Sequence, residues 1–262
     1  MILPIPNRCI WCHKAPPDCK FDISHVLPEC VGNENQQVLP AGIVCNRCNN
    51  YFGTKVEGAL LRDPLFHIAA VLLRLRDPDD MNEFRDCIFD REHKSERPVE
   101  RNLRVSTQIA SRTLTVDVDY AIKGQIRKSY QQRECALLSR AVHKIAFEAL
   151  AWLLFVKGTE ESIDIFDSRF DHVREWSRRG QPNESVRPIF RLQRFESIKS
   201  EWENRFCKFG DSLGMELNLF GDWYLVSLTS PTDTAGDDLK KWLGPKKPDN
   251  IWCVGKTLSL VT

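Results

Sequence analysis

Residues 9–53 read CIWCHKAPPDCKFDISHVLPECVGNENQQVLPAGIVCNRCNNYFG, and two Cys-x-x-Cys pairs in this stretch, Cys9/Cys12 and Cys45/Cys48, decide how the chain is read. Each pair forms a short turn that presents two sulfurs to one tetrahedral ion, so two pairs complete a four-thiolate zinc site. The loop between them can be long, because the ion closes it. That loop carries His25 in the phrase Ser24-His25-Val26-Leu27-Pro28-Glu29, and the second pair runs directly into Asn49 and Asn50. A zinc ion held by the four cysteines therefore brings His25 and Asn49 near each other. Cys19, Cys30 and His13 are spare donors in the same region, but the symmetric pairs have the better ligand spacing. A single Cys-x-x-Cys inside a βαβ pattern would read as a redox motif; two such pairs read as a metal site.

The chain of 262 residues has 37 basic and 36 acidic side chains and is 42% hydrophobic. That suits one large domain, or a small one joined to a larger one. No global charge advertises a polyanionic partner, so contact with nucleic acid must rest on a local patch. The opening residues MILPIPNRC lack a basic segment followed by a long apolar one, and no apolar run is long enough to cross a bilayer. The expectation is a cytoplasmic chain without a membrane partner, whose cysteines hold metal rather than disulfides. Cys87, Cys135, Cys207 and Cys253 are scattered and read as ordinary buried thiols.

Working outward from the cysteine pairs, Phe21 to Leu27 alternates apolar and polar residues as a short strand does, with Pro28 ending it. Alternation puts Asp22 on the face of Ser24, opposite His25. Gly32-Asn33-Glu34-Asn35 is turn chemistry, and Gln37-Val38-Leu39 opens a second strand that resumes at Ile43-Val44. Asn46 to about Asp63 has helical spacing in Phe52, Val56, Leu60 and Leu61, which places Asn49 and Lys55 near the helix start. Asparagines also cap helices, so Asn49 and Asn50 divide between a cap and a ligand, with Asn49 preferred as ligand. Arg47, Lys55 and Arg62 are candidates to touch phosphates.

Strand, loop, strand and helix, with a histidine on the first strand and a polar ligand on the helix, resembles the HNH endonuclease family. The resemblance is to its zinc-bearing branch and covers the first quarter of the chain. It rests on His25-Val-Leu-Pro-Glu29 with Gly32 after it, and on Cys45-Asn-Arg-Cys-Asn-Asn-Tyr-Phe-Gly53. It implies a ββα-metal fold, a structural zinc at Cys9, Cys12, Cys45 and Cys48, and hydrolysis of phosphodiester bonds in DNA. By the same resemblance His25 is the general base and Asn49 holds a catalytic divalent cation, Mg²⁺ or Mn²⁺. The residues suit that chemistry: an imidazole can take a proton from water near neutrality, and an amide carbonyl is a hard, neutral ligand. Many members of the family carry an acid immediately before the histidine as a second metal ligand, where this chain has Ser24. The family's middle asparagine, which braces the loop, falls at Val38-Leu39. Members with an HNH head and an uncharacterised tail are often bacterial or phage-borne, some in antiviral defence, an association and nothing more.

The remaining chain reads as α+β. The expected layout is an HNH domain over 1–77, an irregular linker over 78–104, and a larger helix-plus-antiparallel-sheet domain over 105–262 that positions substrate, dimerises or binds a protein partner. Leu65 to Leu75 continues as an apolar helix, and Ser106 to Ala121 alternates as a strand or hairpin. Glu134 to Lys157 is the strongest helix, with Gly158 as its stop, and His143 on it reads as structural. Ser162 to Arg179 suggests a further helix whose tail, Arg174 to Arg179, either meets nucleic acid or is a solvated end. Pro188–Phe195, Met215–Leu219, Trp223–Leu228 and Ile251–Val261 read as strands. Against the DNA endonuclease stand a zinc-stabilised nucleic-acid-binding module whose site decayed at Ser24, and a nuclease directed at RNA.

Overall fold

The computed structural model describes residues 1–28, 37–62, 102–109, 112–119, 132–180, 186–192, 203–219, 222–243, 251–254 and 258–260. Glu29, Cys30, the turn at 32–35, the predicted helix at 65–75 and Cys87 lie outside them.

At the N-terminus, β1 (Ser24–His25) and β2 (Val38–Leu39) pair antiparallel, Ser24 opposite Leu39 and His25 opposite Val38. The predicted strand from Phe21 to Leu27 is shorter than expected. Phe21 bridges instead to Cys45, which must turn away at once into the first helix, so no continuous ladder forms. Ile43 and Val44 likewise do not extend β2. Ile10 donates its N–H to the Ile43 carbonyl at 3.0 Å and Arg8 to the Gly42 carbonyl at 3.2 Å, so the two cysteine turns lie side by side. Gly42 sits at φ +103°, and a Cβ there would come within 2.7 Å of both Asn7 and Ile5, so glycine alone allows this approach.

The helix predicted from Asn46 to Asp63 breaks in two. α1 (Asn46–Lys55) ends where the amides of Val56 and Glu57 both bond to the Phe52 carbonyl, and α2 (Gly58–Arg62) follows. Cys45 is the N-cap of α1 and no side chain caps it, so neither asparagine is the cap.

A hairpin of β3 (Asn102–Ile109) and β4 (Arg112–Asp119) precedes the long helix α3 (Gln132–Trp152), which continues as a π-helical turn, Leu153–Lys157. Gly158 at φ +91° stops it, its amide bonded to the Leu153 carbonyl. α4 (Asp171–Arg179) starts later than the periodicity suggests, because Asp164 and Asp167 accept hydrogen bonds from the amides of Phe166 and Arg169 in local turns. The C-terminal region adds β5 (Ile189–Leu192), β6 (Glu203–Phe209), β7 (Ser212–Leu219), β8 (Asp222–Ser227), α5 (Ala235–Leu243), β9 (Ile251–Val254) and β10 (Leu258–Leu260). The strands form one antiparallel sheet in the order β10-β9-β5-β8-β7-β6. β6 and α5 were not expected, and Ile251–Val261 is a hairpin rather than one strand.

α3 is buried almost all round, with Arg140, His143, Lys144 and Glu148 among its apolar residues, and packs on α2 and β2 as well as on β7 and β8. Trp11 and Phe52 from the N-terminal segment, Ile145 and Phe147 from α3, and Met215 and Tyr224 from the sheet belong to one core cluster. The Trp11 ring stands 4.6 Å from that of Phe52 and 5.0 Å, edge-on, from that of Phe147.

Candidate metal centre and active site

The four sulfurs of Cys9, Cys12, Cys45 and Cys48 lie within 4.8 Å of one another, three of the residues buried and Cys12 half-buried. Zinc–sulfur bonds of about 2.3 Å in a tetrahedron put sulfurs about 3.8 Å apart. Cys12 and Cys45 Sγ are separated by 3.7 Å. The Cys45 amide donates to Cys9 Sγ at 3.4 Å, a bond that favours thiolate. The Cys48 thiol hydrogen-bonds to Cys9 and holds it down to about 5, against the opposing effect of burial. The same bond and then burial push Cys48 far up, and burial raises Cys12 to about 11. A cation bound here displaces the thiol protons, because thiolate is the form that ligates. The donor set fits zinc, and its four thiolates leave no open position, so the ion would be structural. Cys19 and His13 stand outside the quartet, the His13 ring packed edge-on to Phe166 at 5.7 Å.

The centre sets β1 against the first turn of α1. The Ser24 hydroxyl donates to Asn49 Oδ1 at 3.1 Å, Ser24 being 1% exposed and Asn49 half-buried. Two oxygens on neighbouring vertices of an octahedron with metal–oxygen bonds of about 2.1 Å are about 3 Å apart. The spacing of this pair thus fits two ligands of one hard divalent cation. Asp22 does not join them: it is exposed, and its Oδ1 accepts from the amide of Ile23. His25, next to Ser24 on β1, is half-buried.

Behind β1 lies a buried cation that sequence reading missed. Lys144 of α3 donates to the carbonyls of His25 at 2.9 Å and Val26 at 3.2 Å, and stands 2.7 Å from Glu57 Oε1 and 3.0 Å from Glu148 Oε2. An ammonium has three N–H groups for these four oxygens, and Glu148 Oε2 is the one without a directed hydrogen bond. Glu148 Oε1 accepts from Trp11 Nε1 at 2.9 Å, tying the first cysteine turn into the same network. Glu57 reaches Lys144 because the helix breaks at that residue. A lysine four residues before a glutamate, on a helix whose apolar residues cover most of its surface, was the available signal.

Three arginines grip the cysteine turns and α1 from outside. Arg174 Nε donates to the Ile10 carbonyl at 2.9 Å, Arg178 Nη1 to the Trp11 carbonyl at 3.1 Å, and Arg140 Nη2 to the Tyr51 hydroxyl at 2.6 Å. Arg174 and Trp176 are buried, so the tail of α4 is neither a solvated end nor wholly a nucleic-acid surface. Arg47 and Lys55 are exposed at the two ends of α1, while the side chain of Arg62 lies outside what the structure describes. His143 is fully buried, its Nδ1 2.8 Å from the Ser139 carbonyl and its Nε2 accepting from Arg187 Nε, and burial lowers its pKa, so it stays neutral. Cys135 is buried and Cys207 half-buried, the latter raised to about 12 by burial. Among the described residues no helix is long and apolar enough to cross a membrane.

No curated protein and no solved structure matches the chain. Residues 9–65 match the HNH endonuclease family, a span that takes in both cysteine pairs, β1, β2, α1 and α2. The N-terminal part of this chain is an HNH endonuclease family domain carrying a four-cysteine cluster.

Proposed function

We propose that the chain is a divalent-metal-dependent endonuclease that hydrolyses phosphodiester bonds in DNA, with His25 as general base and Asn49 as protein ligand of the catalytic cation. The observation that carries the proposal is the 3.1 Å contact between Ser24 Oγ and Asn49 Oδ1. It joins the strand bearing His25 to the helix bearing Asn49, on a base held by the cysteine cluster. Asn49 and Ser24 offer two neutral oxygens, fewer and weaker than a carboxylate set. Mg²⁺ tolerates this because it keeps several waters when bound to protein. The cation, when bound, supplies neutralisation of charge on the scissile phosphate and the leaving oxygen. His25 takes the proton of the attacking water and so produces the nucleophile. Lys144, bonded to the His25 carbonyl, positions the strand that carries the base and touches no substrate.

Supercoiled plasmid with Mg²⁺ or Mn²⁺ tests the proposal. The parent protein is expected to nick it, and His25→Ala to do so about 10²- to 10⁴-fold more slowly, the usual contribution of a positioned base. If neither protein cuts and both bind DNA equally, the domain is a zinc-stabilised binding module. Matched RNA substrates, cut faster than DNA, would move the substrate class to RNA.

A further inference from the structure

Beside the cysteine cluster, on the side of α1 that carries Arg47, a cleft of about 700 Å³ opens between the first cysteine turn and the C-terminal end of α4. Among the described residues, five cations line it, Lys14 and Lys20 from the loop between the cysteine pairs, Arg47 from α1, and Arg178 and Arg179 from α4, against one acid, Asp18. A zinc ion with four thiolates carries a net charge of −2 by valence, so one bland reading makes these cations its counter-charge. The sum decides against that alone: five positive charges less Asp18 and less the centre still leave two.

The cations are also available. Lys14, Lys20 and Arg47 are exposed and form no ion pair among the described residues. Among the described residues Arg179 has an exposed pair with Glu175 at 3.1 Å, which a stronger anion displaces at little cost. Arg178 is already fixed on the wall by its bond to the Trp11 carbonyl, so less ordering is needed when an anion arrives.

We infer that this cleft binds the phosphate backbone of the nucleic acid on its way to the Ser24–Asn49 pair. Arg47 and Asn49 are two residues apart on α1, about 3 Å along the helix axis but about 200° around it, so a strand held at Arg47 reaches Asn49 by passing around the first turn of the helix. Cations arriving from three separate segments suit a chain of phosphates better than a single anion. The identity of the occupant rests on the nuclease reading; the electrostatics of the cleft do not. Because α4 lies outside the family match, the C-terminal region gains a direct role in gripping substrate.

Binding of a labelled DNA duplex, followed by anisotropy over a range of salt concentrations without added divalent cation, tests this apart from cleavage. Arg47→Ser/Arg179→Ser removes two cleft charges, and Lys240→Ser/Lys241→Ser removes two from α5. A second cleft pair, Lys14→Ser/Lys20→Ser, and zinc content equal to that of the parent guard against misfolding. The cleft pairs are expected to weaken binding at least tenfold and to flatten the dependence of log K on log salt by about 1.8, the value for two lost phosphate contacts. The α5 pair is expected to leave both unchanged. Parental affinity and slope in both cleft pairs overturn the inference, and so do equal losses in the cleft and α5 pairs, which would show a diffuse field. A parent that nicks plasmid while the cleft pairs bind normally sinks the cleft alone. A parent that never cuts, with binding lost in the cleft pairs, sinks the nuclease reading alone.

Discussion

Ser24 stands where many HNH members carry an acid, and its hydroxyl lies 3.1 Å from Asn49 Oδ1. On the proposed reading the pair would hold a divalent cation without a charge of its own, and its affinity for that cation would be adjustable by one side chain. Ser24→Asp puts a carboxylate at a position 1% exposed, against the Asn49 carbonyl. Without a cation this leaves a buried charge beside a carbonyl dipole, so the variant is expected to melt below the parent. With Mg²⁺ it should recover, the stabilisation growing as RT ln(1 + [L]/Kd), about 1.4 kcal/mol at ten times Kd. A melting series with increasing MgCl₂ reads both effects; a variant no more responsive to Mg²⁺ than the parent places the cation elsewhere. Asn49→Ala should abolish the response of the parent and of Ser24→Asp alike. At this scale the sequence was readable wherever chemistry repeats at fixed spacing. Cys-x-x-Cys announces itself because both ligands of a turn are local. Lys144 announced itself only through Glu148 four residues on, since its other partners His25, Val26 and Glu57 are 87 to 119 residues away.

α3 was legible as an element because its apolar residues recur at helical spacing over 21 residues. β6 and α5 were not. β6 is an edge strand with Asn204, Arg205 and Lys208 interleaved, and among its described side chains α5 buries Ala235 and Leu239 beneath a charged surface, so neither announces itself by a broad apolar face. What periodicity concealed about α3 is that it buries an ion network against β1. Lys144→Met should cost about 3–5 kcal/mol, because two carboxylates and two carbonyls lose their shared cation, and the loss is read by chemical denaturation. Glu148 gives the same network a pH dependence. Burial raises its pKa from an ordinary 4.5 to about 7, with Lys144 opposing. Between those values the folded chain holds a proton that the unfolded chain has released. This group's contribution to stability is therefore complete below about pH 4.5 and lost as pH rises through 7, a change on the order of 3 kcal/mol. Glu148→Gln removes it. The difference in denaturation free energy between parent and Glu148→Gln should change across this range, and a difference constant with pH would show that Glu148 ionises in the folded chain as it does in the unfolded one.

The segment with the four cysteines and the C-terminal region share one core, so a zinc ion bound there would be a determinant of the whole molecule. Trp11 lies between Phe52 and Phe147, and the carbonyls of Ile10 and Trp11 accept from Arg174 and Arg178. A segment with two-residue strands cannot hold these groups in place by itself. In small zinc modules the ion contributes an apparent 10–16 kcal/mol, comparable to the entire stability of an ordinary domain. Removing it should release the cysteine turns, withdraw Trp11 and Phe52 from α3, and leave Lys144 and Arg174 buried without their carbonyl partners. The expected result of chelation is thus one cooperative loss, in which the helical and sheet signals in circular dichroism fall together with release of one zinc per chain to a colorimetric chelator. Cys9→Ser should reproduce it without chelator, by removing one of the four sulfur ligands. Helix and sheet signals that persist unchanged after the zinc has left would show that α3 and the sheet stand without the N-terminal segment. The arginine and lysine contacts would then fasten the segment to an independent body, not complete a common one.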